Sequence, residues 1–123
     1  MQKAAHKILV VDDDALWRMQ LSDALKEWGF EVEEAENGRE GLVALERDGA
    51  KFDLVISDIQ MPELDGLGFL AEAKKRNLVV PIILNSNIPK FEDSAVLYGA
   101  VGFLQKKESL EGYREMVLKA LRW

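Results

Sequence analysis

Five short apolar runs, each followed by a segment of helical spacing, constrain this chain more than any other feature. Lys7 to Val11 (KILVV) is a continuous apolar run of the kind buried on both faces of a parallel sheet. Trp17, Leu21, Ala24, Leu25 and Trp28 then recur at i, i+4, i+7, i+8 and i+11, one stripe of a helix that Gly29 ends. Residues 30–33 alternate apolar and charged, which predicts a strand nearer the sheet edge. Asn37 caps a helix carrying Leu42 and Leu45 that stops near Gly49. The same order returns as a strand over 53–57 with a helix over 66–76, and a strand over 79–84 with a helix over 89–98. A last strand over 101–104 leads to a helix over 109–122, whose Leu110, Tyr113, Val117 and Leu121 share one face. Such a succession predicts an α/β domain, a parallel sheet covered by helices on both sides. No linker, low-complexity tract or repeat breaks it, so residues 1–123 read as one domain. The last helix runs to the end of the chain, and no output domain is expected within it.

Composition narrows what such a domain does. Hydrophobic residues make up 48% of the chain, enough for one core, and the formal net charge of -6 argues against a surface for duplex nucleic acid. Lys74-Lys75-Arg76 and Lys106-Lys107 are short basic clusters beside acidic residues, and the first reads as the polar end of a helix, favourably placed for its dipole. The absence of cysteine excludes disulfides and thiolate metal sites and fits a cytoplasmic location. The N-terminal MQKAAHKILVV is too short an apolar run for a signal peptide. No stretch approaches the roughly 18 apolar residues of a membrane span. The one histidine, His6, reads as a solvated terminal residue.

Ligands of open parallel sheets collect beyond the carboxyl ends of the strands. The residues expected there are Asp12-Asp13-Asp14 after the first strand, Asp58 after the third, Asn85-Ser86-Asn87 after the fourth and Lys106-Lys107 after the fifth. Asp14 is best read as a helix cap, and Trp17 and Trp28 as core. Converging carboxylates repel one another and call for a cation. An oxygen-only set without cysteine suits a hard divalent ion such as Mg²⁺ rather than zinc. A carboxylate beside Mg²⁺ and a lysine is a competent nucleophile toward phosphorus, giving an aspartyl phosphate. That transfer asks the protein chiefly for positioning and for cations against the phosphoryl oxygens. Ser86 is placed to donate to one such oxygen and Lys106 to pair with another.

Four stretches in order then resemble the receiver domain of two-component response regulators, over nearly the whole chain. They are Val10-Val11-Asp12-Asp13, then Asp58 to Gly66 (DIQMPELDG), then Pro81 to Ser86 (PIILNS), and Gly99 to Lys106 (GAVGFLQK). The resemblance implies a flavodoxin-like five-stranded sheet of order 2-1-3-4-5. It makes Asp58 the phosphoacceptor, Asp12 and Asp13 the metal-binding pair with Asp58, and the Gln60 carbonyl a further Mg²⁺ ligand. Ser86 becomes the switch hydroxyl, Lys106 the conserved-type lysine, and Phe103 the aromatic whose rotamer follows activation. Pro62 restricts the loop that aims the Gln60 carbonyl, and Asp65-Gly66 turns it into the next helix. The partners implied are a histidine kinase or histidine phosphotransfer protein, and a downstream protein that reads residues 90–122. Neither nucleic acid nor membrane is expected to bind this domain directly. Enzymatic activity is limited to the domain's own phosphotransfer and slow autodephosphorylation.

Two residues depart from the family pattern. Asn87 stands where alanine or glycine is usual, and Lys107 where proline usually follows the lysine. A pseudo-receiver that signals by contact without phosphorylation is therefore the alternative, opposed by the joint presence of Asp12, Asp13, Asp58, Ser86 and Lys106. Haloacid-dehalogenase-like phosphohydrolases also use an aspartate after a strand, but they carry a second aspartate where this chain has Gln60. A flavin site would call for a Ser/Thr/Gly-rich loop in place of Asp12-Asp13-Asp14, and no P-loop sequence occurs.

Overall fold

Strands and helices alternate as the hydrophobic periods require, in a computed structural model that describes residues 6–48, 51–106 and 109–121. The elements are β1 (Lys7–Val11), α1 (Ala15–Glu27), β2 (Glu31–Ala35), α2 (Gly38–Asp48), β3 (Leu54–Asp58), α3 (Gly66–Lys75), β4 (Ile82–Ser86), α4 (Glu92–Tyr98), β5 (Gly102–Gln105) and α5 (Leu110–Ala120). All strands pair in parallel, in the order β2-β1-β3-β4-β5, as expected of a flavodoxin-like sheet. The chain winds outward from β1 to β2, then crosses to the other side of β1 to lay down β3. Loops leaving β1 and β3 therefore diverge and open a crevice at the carboxyl edge.

Period-two alternation sorts the strand residues onto two cores. Leu9, Val11, Val55, Ile82 and Leu84 face Leu42, Leu45, Phe69, Leu70 and Ala95, under α2, α3 and α4. Ile8, Val10, Leu54, Ile56 and Ile83 face Leu21, Leu25, Tyr113 and Val117, under α1 and α5. Trp17 and Trp28 are half-buried against this second core, as expected. β2 is an edge strand, and its acidic residues meet cations, Glu33 with Lys7 and Arg47 and Glu34 with Arg18. Gly29, at φ +97°, ends α1, since that conformation lets the Phe30 N–H reach back to the Leu25 carbonyl.

Boundaries differ from the sequence reading where backbone chemistry outweighs apolar character. Residues 79–81 are not strand. Val79 is 95% exposed, Pro81 has no N–H to give, and pairing with β3 begins only at Val55↔Ile82. Residues 89–91 form a 3₁₀ turn ahead of a shorter α4. Leu110, the first residue of α5, is exposed rather than part of the buried face that Tyr113 and Val117 make. His6 is half-buried and its carbonyl accepts the Glu31 N–H at 2.9 Å, so it is part of the sheet margin rather than a solvated end. Gly49, Lys107 and Arg122 lie outside the described residues. No helix among the described residues is long and apolar enough to cross a membrane.

Candidate functional site

Local chemistry aims the first acidic pair. β1 ends at Val11, but the Asp12 N–H still donates to the Ala35 carbonyl at 3.1 Å, so Asp12 remains fastened to the sheet. Asp14 caps α1, its Oδ1 accepting from the N–H groups of Leu16 and Trp17 at 3.1 and 3.2 Å. The Asp14 N–H in turn donates to Asp12 Oδ1 at 2.8 Å, which turns the Asp12 carboxylate inward and leaves Asp13 exposed. Arg18 was not singled out by sequence. Its Nη1 donates to the Asp12 carbonyl at 2.6 Å and its Nε to Glu34 at 2.9 Å, clamping the β1–α1 loop to β2. Only the pairing of β1 with β2 brings Glu34 within reach, so spacing along the chain carried no signal for it.

Asp58 is the last residue of β3 and is buried, 5% exposed, beside Asp12 at 1%. One carboxylate oxygen from each of Asp12, Asp13 and Asp58 lies within 4.8 Å of the others. Lys106, just past β5, reaches across β4's end with its Nζ 2.9 Å from Asp12 Oδ2 and 3.3 Å from Asp58 Oδ2. Burial, and then the Asp12 charge, push the Asp58 carboxyl up from 3.8 to about 6, against the opposing pull of Lys106. Burial likewise raises Asp12, partly offset by its hydrogen bond with Lys106. For Lys106 burial disfavours the ammonium, but Asp12 and Asp58 outweigh it and the pKa rises. Three carboxylates against one ammonium leave a site short of positive charge. Their oxygens are hard donors, and exposed Asp13 opens the cluster to water, the conditions Mg²⁺ needs. The cluster is thus positioned to hold a divalent cation such as Mg²⁺.

The loop from β3 to α3 is anchored on both sides. The Gly66 N–H donates to the Ile59 carbonyl at 2.7 Å, and Asp65 caps α3 through the Gly68 N–H at 2.8 Å. Glu63 sits in the left-handed region at φ +67°, an uncommon conformation for a residue with a side chain. Asn37 holds it there. Its Nδ2 donates to Glu63 at 3.2 Å while its Oδ1 accepts the Glu40 N–H in α2. Gln60 lies exposed in this loop, two residues beyond Asp58. Ser86, buried at the end of β4, accepts the Ile88 N–H on its Oγ at 3.0 Å, which leaves its hydrogen to donate elsewhere. Asn87 beside it is exposed. Phe103 is half-buried against the α2–α4 core, on the opposite face of the sheet from Asp58.

Asp13→Asn is expected to weaken Mg²⁺ binding about tenfold, or ~1.4 kcal/mol, by removing one charged ligand. The metal-free variant should be as stable as the parent or more so, since like-charge repulsion falls. Calorimetric titration with Mg²⁺ checks this, and an unchanged affinity places the metal elsewhere.

The sheet order and the charged edge together are those of a phosphoacceptor receiver domain. Comparison with known proteins agrees: residues 8–118 match the family described as the response regulator receiver domain. The chain belongs to that family. It is 38% identical over 120 residues to the chemotaxis protein CheY of Bacillus subtilis (strain 168), covering 95% of this chain and 98% of that protein. It is 34% identical over 116 residues to the transcriptional regulatory protein ZraR of Escherichia coli (strain K12), covering 93% of this chain but only 26% of that longer protein. Among solved structures, chemotaxis protein CheY4 of Vibrio cholerae superposes with a TM-score of 0.86 at 30% identity, covering 95% of this chain and 99% of that one.

Proposed function

We propose that the chain accepts a phosphoryl group on Asp58 from a histidine kinase or histidine phosphotransfer protein and thereby switches a surface that a downstream protein reads. The observation that carries this reading is the buried Asp58 carboxylate, with the Lys106 ammonium 3.3 Å away and Asp12 and Asp13 at its side. An Asp58 oxygen attacks phosphorus. The new O–P bond forms as the bond to the donor's imidazole nitrogen breaks, and the electron pair leaves on the donor. Asp12, Asp13, Asp58 and the Gln60 carbonyl would hold Mg²⁺, whose charge, when bound, offsets that of the phosphoryl oxygens. Lys106 supplies the second positive charge. Ser86 donates its free hydrogen to a phosphoryl oxygen, and the Phe103 ring, packed on the same face as Ser86, follows that movement. Downstream, α4 and the turn after it expose Val96, Leu97, Tyr98 and Val101, an apolar set suited to a protein contact. Their position within residues 90–122 matches the face such domains present to their targets. On this reading the domain works in the cytoplasm, a location its cysteine-free sequence fits.

Intact mass after incubation with Mg²⁺ and acetyl phosphate tests the assignment. One phosphoryl group per chain is expected, mapped to the peptide holding Asp58. No gain in mass removes the assignment and favours a contact-only module, and a label elsewhere moves the acceptor to another residue. The pH dependence follows from the Asp58 carboxyl at about 6. Only the ionised carboxylate attacks, so at Mg²⁺ well below saturation the rate should hold above pH 7. It should fall about tenfold by pH 5, one pH unit below that pKa. A flat rate between pH 7 and 5 contradicts it.

Asn87 would sit at the mouth through which the phosphoryl group and the hydrolytic water pass. Asn87→Ala is expected to speed both labelling and autodephosphorylation by up to about tenfold, which requires only ~1.4 kcal/mol at the transition state. If neither rate rises, the Asn87 amide does not face the pocket.

A further inference from the structure

β4 runs Ile82, Ile83, Leu84 and then, still fully buried at 1% exposure, Asn85. An amide at that depth has to be hydrogen-bonded. Asn85 is in register with Asp58 on β3 and with Leu104 on β5, so these three side chains stand on the same face of the sheet, the one covered by α1 and α5. Its Nδ2 donates to the Tyr113 hydroxyl of α5 at 2.9 Å. Tyr113 is itself fully buried, and its ring meets Trp17 of α1 edge-on, with centroids 5.5 Å apart and planes at 61°. On the other side, the Asn85 carbonyl accepts the N–H of Ile59, the residue after Asp58, at 2.9 Å. Asn85 is thus bonded to the segment that carries the acceptor and to α5, and α5 touches α1 through the same ring.

Two buried polar atoms flank this chain of contacts without a hydrogen-bond partner, Asn85 Oδ1 and Trp17 Nε1. An amide rotated by 180° keeps its shape and exchanges donor for acceptor, and a tyrosine hydroxyl serves either orientation because it both donates and accepts. We propose that Asn85 and Tyr113 are positioning residues that couple occupancy of Asp58 to the seating of α5 against α1. This rests on Asp58 being the acceptor. A phosphoryl group on Asp58 brings acceptor oxygens and negative charge to the neighbouring strand position. That favours Nδ2 turned toward the site, with Oδ1 taking the Tyr113 hydrogen. The exchange moves the Tyr113 hydrogen bond without changing the packed volume. It runs on the opposite face from Ser86 and Phe103, so the two routes are separable.

Asn85→Leu with Tyr113→Phe removes both polar groups together and leaves neither buried alone, and Tyr113→Phe by itself deletes only the hydroxyl. Parent and both variants are incubated with Mg²⁺ and acetyl phosphate, intact mass reports labelling, and hydrogen exchange of the 110–120 amides reports α5. All three proteins should label. In the parent, labelling should change α5 exchange at least threefold, and that labelled-against-unlabelled ratio should fall to near one in both variants. A purely structural role alters exchange in both states alike and leaves the ratio unchanged. Labelled variants that keep the parent's ratio overturn the coupling, as does a labelled parent whose α5 exchange does not change. A parent that takes no label overturns the acceptor assignment, and the coupling falls with it.

Discussion

Asp58→Asn is expected to abolish covalent phosphorylation and, in metal-free protein at pH 7, to raise stability by about 2–3 kcal/mol. The first effect follows because an amide offers no anionic oxygen to phosphorus. The second follows from linkage. The Asp58 carboxyl titrates at about 6 in the folded chain against an ordinary value of 3.8, so the folded state holds that proton more tightly than the unfolded one. The stability it contributes is fully present below pH 3.8 and is lost as pH rises through 6. About two units at 1.36 kcal/mol each set the scale of that loss. Asparagine cannot ionise and escapes it, while Lys106 keeps Asp12 as a partner at 2.9 Å. The advantage should therefore shrink as pH falls toward 4, and it should shrink again on adding Mg²⁺, which stabilises the parent's intact site more than the variant's. Urea melts at pH 4.5 and 7, with and without Mg²⁺, decide the matter. A variant less stable than the parent at pH 7 without metal would mean that Asp58 is held ionised at no cost. Phosphorylation of the variant at the parental rate would move the acceptor to another residue.

Gly66→Ala is expected to cost about 3 kcal/mol or more and to weaken Mg²⁺ binding with it. A Cβ at Gly66 would stand 2.2 Å from the Asp58 carbonyl oxygen and 2.8 Å from the Ile59 Cα. Both are backbone atoms of the segment that ends β3, and neither can swing aside as a side-chain tip can. The Gly66 N–H is also bonded to the Ile59 carbonyl at 2.7 Å, so withdrawing α3 breaks that bond as well. Overpacking against a core usually costs 1–3 kcal/mol. Here the strand end that carries the acceptor must shift, which places the cost at or beyond the top of that range. Equilibrium unfolding gives the stability and Mg²⁺ calorimetry the affinity. A loss under about 1 kcal/mol with unaltered metal binding would show that the loop has slack.

Much of this protein is legible along the chain because much of its order is local. Continuous apolar runs marked the inner strands, alternation marked β2 and helical spacing marked the helices, and cap residues marked helix starts at Asp14 and Asn37. Acids at the ends of apolar runs pointed to Asp12 and Asp58, since an interior position would have taken an aliphatic residue. Boundaries were less legible. Apolar character extended β4 back to Val79, but pairing, and the missing N–H of Pro81, start it at Ile82.

The tertiary structure decided what depends on residues far apart in the chain meeting one another. Asp12 and Lys106 are 94 positions apart and Asp58 and Lys106 are 48 apart, yet the order β2-β1-β3-β4-β5 brings all three into contact. The raised Asp58 carboxyl exists only there, because burial and the Asp12 charge act through space. The Arg18–Glu34 clamp and the Asn37–Glu63 latch likewise wait on strands and loops becoming neighbours. Asn85 makes the same point. Along the chain it is one polar residue in a run ending at Ser86 and Asn87. In the fold the register with Asp58 turns it onto the α1–α5 face, where the Tyr113 hydroxyl is its partner.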